Sequence, residues 1–227
     1  MSKLIIFDLD NTFYDYELSH NFALSKVFEF QNIYKNYDEF ITNYNKTKSD
    51  IHHILEESPS KHSKLIYFKL LFYSVKSYEE IIALEQIYWD NFIQFTKIDS
   101  ETIEIIKNSK NESDIFYLFT NQNLHIQLQK ISSWGLDFFD YVLTSEEVGF
   151  EKPNIKFYKH VLKKLMRFNV EDYDFYAIGD SYENDVKFWF DNYNATGYLI
   201  DNKKDSLEVE SNIYKTNFEL AINNIFN

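Results

Sequence analysis

The first residues of the chain are apolar without a break and then turn sharply acidic. In "KLIIFDLDNTFYD", Leu4 to Phe7 lead directly into Asp8, Asp10 and Asp15. An unbroken apolar run of this length predicts a strand buried on both faces. From about Ser19 to Phe95 the period becomes helical. "SHNFALSKVFEF", "YDEFITNYNKT" and "SYEEIIALEQIYWDNF" place apolar residues three and four apart, the spacing of one helix face. Ser77, with Glu80 three residues on, predicts a capping box. "SKLIYFKLLFY" (63–73) is apolar on several sides, which predicts the central helix of its bundle. The proline in "SPS" (58–60) marks the break in this all-helical stretch.

Beyond it the pattern alternates. "SETIEIIKNSK" predicts a helix capped by Ser100, "DIFYLFT" (114–120) a strand, and "NLHIQLQKISSWG" a helix stopped at Gly135. "YVLTS" (141–145) predicts a strand, "PNIKFYKHVLKKL" a helix with Pro153 in its first position, and "YDFYAIGD" (173–180) a strand. "ENDVKFWFDNY" reads as a helix, "TGYLID" (196–201) as a strand, "DNKKDSLEVES" (201–211) as an exposed loop and "TNFELAINNIF" as a closing helix. Strands separated by helices imply parallel βαβ units. The expected fold is therefore α/β: an open parallel sheet, Rossmann-like, with an all-helical unit inserted after its first strand. The expected division is 1–15 with 98–227 as the α/β core and 16–97 as the inserted helical domain.

Composition narrows the function. The 227 residues include 44% hydrophobic and 19% aromatic side chains, ample for a core. Four glycines and two prolines argue against a turn-dense β sandwich or barrel. The net charge of −13 argues against nucleic-acid partners, which need a basic face. The absence of cysteine excludes disulfides, thiolate catalysis and cysteine-ligated zinc. No stretch reaches the length of a membrane span, and the four apolar residues before Asp8 are too few for a signal-peptide core. A cytoplasmic protein, monomeric or homodimeric, is the expectation.

Ligands of open α/β sheets bind beyond the carboxyl ends of the strands. The residues following each predicted strand are Asp8 and Asp10, then Thr120 and Asn121, then the segment carrying Lys152, then Asp180 with Asp185 five residues on. Taken singly these have ordinary explanations. Asp and Thr cap helices and form turns, and a lone lysine is usually a surface residue. Together they make a coherent set. Asp8, Asp10 and Asp180 form a hard oxygen-ligand site suited to Mg²⁺. Lys152 and the Thr120 hydroxyl could hold phosphate oxygens, and a carboxylate can serve as a nucleophile toward phosphorus.

"DLDNT" (8–12), "TN" (120–121), "EKP" around Lys152 and "GDSYEND" (179–185) resemble, in order, the four motifs of the haloacid dehalogenase-like (HAD) hydrolases. The resemblance covers the whole α/β part, and the helical region sits where that family carries its cap. It implies that Asp8 is the nucleophile and a metal ligand, and that Asp10 protonates the leaving oxygen, then activates water, its backbone carbonyl also binding Mg²⁺. It implies that Thr120, Asn121 and Lys152 bind phosphate, that Asp180 ligates the metal, and that Asp185 supports the metal or Lys152. The acidic Asp10 favours phosphate esters over haloacids. "DLDNTFYDYE" is also similar to the opening of pyrimidine 5′-nucleotidase-type members.

The expected activity is thus a Mg²⁺-dependent phosphatase of a small phosphorylated metabolite, with a nucleoside 5′-monophosphate as one candidate. A sugar phosphomutase of the same superfamily is the alternative, since His20 stands at a spacing from Asp10 similar to that of a proton-transferring histidine in such mutases. A receiver-type signalling module and a non-catalytic binding protein fit the motifs less well. Most aromatics of the helical region are expected in helix core, with base stacking as the other use.

Overall fold

The structure is a computed structural model and describes residues 1–204 and 206–226. Asp205, in the expected 201–211 loop, and Asn227, at the end of the expected core, lie outside the described residues. The chain divides into two compact units: Met1–Asp15 with Lys97–Asn227, and Tyr16–Thr96.

The first unit begins with β1 (Ser2–Phe7); the second holds α1 (Tyr16–Gln31), α2 (Tyr37–Ile54), α3 (Lys64–Phe72) and α4 (Tyr78–Phe95). The first unit then resumes with α5 (Ser100–Ser109), β2 (Ile115–Thr120), α6 (Leu124–Ser133), β3 (Tyr141–Thr144), α7 (Ser145–Val148) and α8 (Ile155–Lys164). It closes with β4 (Tyr173–Gly179), α9 (Lys187–Tyr193), β5 (Thr196–Ile200), β6 (Glu208–Glu210), β7 (Ile213–Thr216) and α10 (Phe218–Phe226). Among the described residues the strands form one sheet in the order β3-β2-β1-β4-β5-β7-β6. Every neighbouring pair is parallel except β6 with β7.

The apolar run Leu4–Phe7 is explained by its central place in the sheet. Leu4 and Ile6 join a buried cluster with Phe119, Phe157, Tyr158, Val161, Phe175 and Trp189. Phe7 instead packs its ring against Phe13, Phe116, Phe138 and Phe139. Each such aliphatic or aromatic side chain contributes about 1.5–3 kcal/mol when fully buried, so both sheet faces anchor the strand.

The helical unit is held by aromatics. Phe40, Tyr44, Tyr67, Phe68, Phe72, Tyr88 and Phe92 are all buried, which places these rings in helix core rather than free to stack a base. Ser77 and Glu80 form the capping box that the sequence predicts.

Four local expectations change. Asp99, not Ser100, caps α5, because its carboxylate accepts from Glu101 N. Pro153 precedes α8 instead of opening it, because Asn154 supplies the cap, accepting from Lys156 N; the Lys152–Pro153 peptide is cis. The expected 201–211 loop contains β6, which forms the sheet edge beside β7, a strand no expectation covered. Finally, α3 is not apolar-buried all round: Leu65, Leu70 and Tyr73 are exposed while Lys64 is buried.

Candidate active site

The site lies at the carboxyl ends of β1, β2 and β4. Asp8 is the first residue past β1, and its N–H donates to Ile178 O of β4 at 2.8 Å. Alternation along extended chain then buries Leu9 completely. The chain turns at once: Thr12 N and Phe13 N both donate to Leu9 O, and Asn11 takes a φ of 66°. Asparagine tolerates this left-handed conformation better than most residues. The turn brings Asn11 Nδ2 to Asp180 Oδ2 at 2.9 Å and the Thr12 hydroxyl to Asp8 Oδ2 at 3.2 Å.

Lys152 is the hub. Its ammonium donates to Asp185 Oδ1 (2.6 Å), Asp8 Oδ1 (2.9 Å) and Phe119 O (2.6 Å). Asn121 clasps the Lys152 backbone in both directions, donating to its carbonyl and accepting its N–H, each at 2.8 Å. Asp185 also accepts from Ser181 N at 3.0 Å. Its approach requires Gly179: a Cβ there would stand 2.3 Å from Asp185 Cβ. Burial alone would lower the Lys152 ammonium; Asp185 and Asp8 more than reverse this and hold it well above the usual lysine range.

Asp8, Asp180 and Asp185 each offer a carboxylate oxygen within 4.8 Å of the others. All three carboxyls are pushed up, Asp8 to about 7. Burial is the main cause for each. Lys152 opposes the rise in all three; mutual repulsion adds to it, from Asp185 and Asp10 on Asp8, from Asp8 on Asp180, and from Asp180 on Asp185. Three converging hard oxygen donors facing a single ammonium keep a net negative charge, which fits a divalent cation of the Mg²⁺ kind. These carboxylates, with Asp10, Thr120, Asn121, Lys152 and Asn184, line an open cavity of about 130 Å³, room for a phosphoryl group.

Asp10 has separate partners. Its carboxylate accepts from Lys130 Nζ at 2.5 Å, from Gln127 Nε2 at 3.0 Å and from the Tyr14 hydroxyl. Burial pushes this carboxyl up, but Lys130 and the hydrogen bonds outweigh it and hold it below the usual carboxylate range. Gln127 Nε2 also donates to Thr120 Oγ1 at 2.8 Å.

The structure therefore brings Asp8, Asp10, Thr120, Asn121, Lys152, Asp180 and Asp185 to one cavity. The sequence reading missed Lys130, Gln127 and Tyr14. No sequence signal marked them: Gln127 and Lys130 stand three apart on one helix face, and the structure buries both fully while Leu128 is 48% exposed. His20 lies within the helical unit, buried, with its Nδ1 2.6 Å from the Tyr88 hydroxyl. Burial, then the charges of Lys64 and Lys48, push it down to about 3, so it is neutral.

Residues 2–188 match the haloacid dehalogenase-like hydrolase family. YfnB of Bacillus subtilis, named among the HAD-hydrolases, is 26% identical over 82% of this chain and 78% of its own. Its crystal structure bound to magnesium superposes with a TM-score of 0.67 at 21% identity, covering 99% of this chain and 98% of that one. A ribulose-1,5-bisphosphate 5-phosphatase of Halopiger xanaduensis is 26% identical over 82% of this chain and 80% of its own. A glyceraldehyde 3-phosphate phosphatase of Methanothermobacter thermautotrophicus is 28% identical over 73% of this chain and 72% of its own. With four ordered motifs converging on one cavity and a family match spanning most of its length, the chain belongs to the haloacid dehalogenase-like hydrolases.

Proposed function

We propose that this hydrolase is a Mg²⁺-dependent phosphatase that cleaves a small phosphorylated metabolite through an aspartyl-phosphate on Asp8. The observation that carries this reading is the placement of Asp8: buried, bridged to Asp185 through Lys152, and one of three carboxylates with raised proton affinity. Asp8 and Asp180, with the Asp10 backbone carbonyl, would hold the metal, and Asp185 would support it or Lys152. The bound cation would neutralise the carboxylates and the phosphoryl oxygens, favouring the ionised, nucleophilic form of Asp8.

In the first step an Asp8 oxygen bonds to phosphorus as the ester P–O bond breaks, and Asp10 gives its proton to the leaving oxygen, producing an alcohol. In the second, Asp10 takes a proton from water, whose oxygen attacks phosphorus; the Asp8–phosphorus bond breaks and inorganic phosphate leaves. The proton taken from water in the second step offsets the one given to the leaving oxygen in the first, with exchange to solvent at Asp10 between turnovers, so charge and atoms balance. Thr120 Oγ1 and Lys152 would hold the phosphoryl oxygens. The Asn121 side chain is committed to the Lys152 backbone, so its share in phosphate binding falls to its own N–H and to placing the lysine.

Two substrate classes have support of different kinds. Two of the named relatives act on sugar phosphates, while "DLDNTFYDYE" is similar to the opening of pyrimidine 5′-nucleotidase-type members. The largest aromatic cluster of the helical unit is buried as helix core, so the names of the relatives are the stronger support and favour the sugar phosphate. The alternative mutase draws little support from His20, which is buried with its Nδ1 engaged by the Tyr88 hydroxyl. A phosphate-release screen over sugar phosphates and nucleoside monophosphates, with and without Mg²⁺, tests the proposal. Metal-dependent release from either class supports it, and release of an isomer without free phosphate would replace it by the mutase.

A further inference from the structure

Every described polar contact on the Asp10 carboxylate involves the end of its own loop or one turn of α6. Lys130 is completely buried, as is Gln127. Burying an ammonium is costly unless it is paired, and here the pairing is with Asp10 at 2.5 Å and with the Tyr14 hydroxyl at 3.1 Å. Gln127 commits its amide nitrogen to both Asp10 Oδ2 and Thr120 Oγ1. Its amide oxygen, buried as well, has no hydrogen-bond partner among the described residues. A glutamine placed for stability would satisfy both ends. This one gives up its acceptor to bridge two groups of the cavity. The two residues stand at i and i+3 of one helix, so a single rigid element fixes both contacts. The Asp10 carboxylate is also absent from the triad of Asp8, Asp180 and Asp185, although only one residue separates it from Asp8.

We propose that Gln127 and Lys130 are positioning residues that hold the Asp10 carboxylate beside Thr120 and out of the metal-ligand cluster, presenting it to the leaving oxygen as the proton carrier. The inference rests on the phosphatase reading with Asp10 in that role. Lys130 supplies the pull that keeps a carboxylate from turning toward a nearby cation. Gln127 sets its distance from the hydroxyl that grips the phosphoryl group. Neither residue needs to touch substrate.

The test uses leaving groups of different basicity, because protonation matters most where the leaving oxygen is a strong base. Wild type, Lys130→Met, Lys130→Arg and Gln127→Met are assayed with Mg²⁺ on phenyl phosphate and on 4-nitrophenyl phosphate, reading kcat/KM. Lys130→Met and Gln127→Met should lose about 10²-fold on phenyl phosphate and about tenfold less than that on 4-nitrophenyl phosphate, whose phenolate departs without a proton. Lys130→Arg, which keeps a cationic donor, should recover most of the loss. The half-saturating Mg²⁺ concentration should stay that of wild type. Thermal melting verifies folding, and Gln127→Met, which leaves the ion pair whole, carries the test if Lys130→Met does not fold. Equal losses on the two esters would overturn the positioning role while leaving Asp8-dependent turnover intact. Absence of Asp8-dependent turnover in the wild type would instead overturn the phosphatase reading, and the positioning role with it.

Discussion

Lys152 Nζ stands 2.6 Å from Asp185 Oδ1, and both side chains are only 4% exposed. Removing one partner of a buried pair leaves an uncompensated charge, which costs about 3–5 kcal/mol. Lys152→Met strands Asp8 and Asp185 together, whereas Asp185→Asn leaves Lys152 its contacts with Asp8 and Phe119 O. Urea unfolding of the metal-free protein should therefore show the larger loss for Lys152→Met. Equal and small losses would mean that the pair does not hold the rim together.

Gly179 offers a steric probe of the same rim. A methyl group there would overlap Asp185, so either the strand end or the carboxylate must move. Gly179→Ala should cost about 1–3 kcal/mol of stability and raise the Mg²⁺ concentration needed for half-maximal activity. Metal dependence identical to wild type, measured by titration, would show that Asp185 does not support the metal.

The raised proton affinity of Asp8 gives a pH dependence with a definite sign. Without metal its folded value of about 7 exceeds the ordinary 3.8, so the folded protein holds a proton that the unfolded chain releases. That contribution is complete below about pH 4 and is lost as pH rises through about 7. Mg²⁺ prefers the ionised carboxylate. The thermal shift produced by Mg²⁺ should thus be larger at about pH 8 than at about pH 5.5. Asp8→Asn should flatten the difference, as melting curves at the two pH values would show.

His20 runs the other way. Its folded value of about 3 lies below the ordinary 6.5, so the unfolded chain binds the proton first. Stability is unaffected above about 6.5 and falls as pH drops from there toward about 3, by up to about 1.4 kcal/mol per pH unit. His20→Gln should make unfolding less sensitive to acid over that range. Equal acid sensitivity would show that His20 is not the buried neutral group its contacts with Tyr88 and Tyr44 indicate.

The α/β alternation and the residues at strand ends were legible because each depends on local pattern. The run Leu4–Phe7 predicts a doubly buried strand, and carboxylates placed just after strands point to the rim. Lys130 was not legible, because an ammonium on the inner face of α6 contradicts helix hydropathy. Partners 120 and 116 residues away in sequence, Asp10 above all, make its burial tolerable. The edge strand β6 was missed for a related reason: a strand as short and polar as Glu208–Glu210 is set by its antiparallel pairing with β7, not by its own composition.

The central claim is that Asp8 is the nucleophile of a phosphatase. The most direct measurement is the initial rate of phosphate release from 4-nitrophenyl phosphate with Mg²⁺, comparing wild type with Asp8→Asn at matched thermal midpoints. The account predicts measurable turnover by wild type and a loss of at least about 10³-fold in the variant. Wild-type-like turnover by a folded Asp8→Asn protein would contradict it.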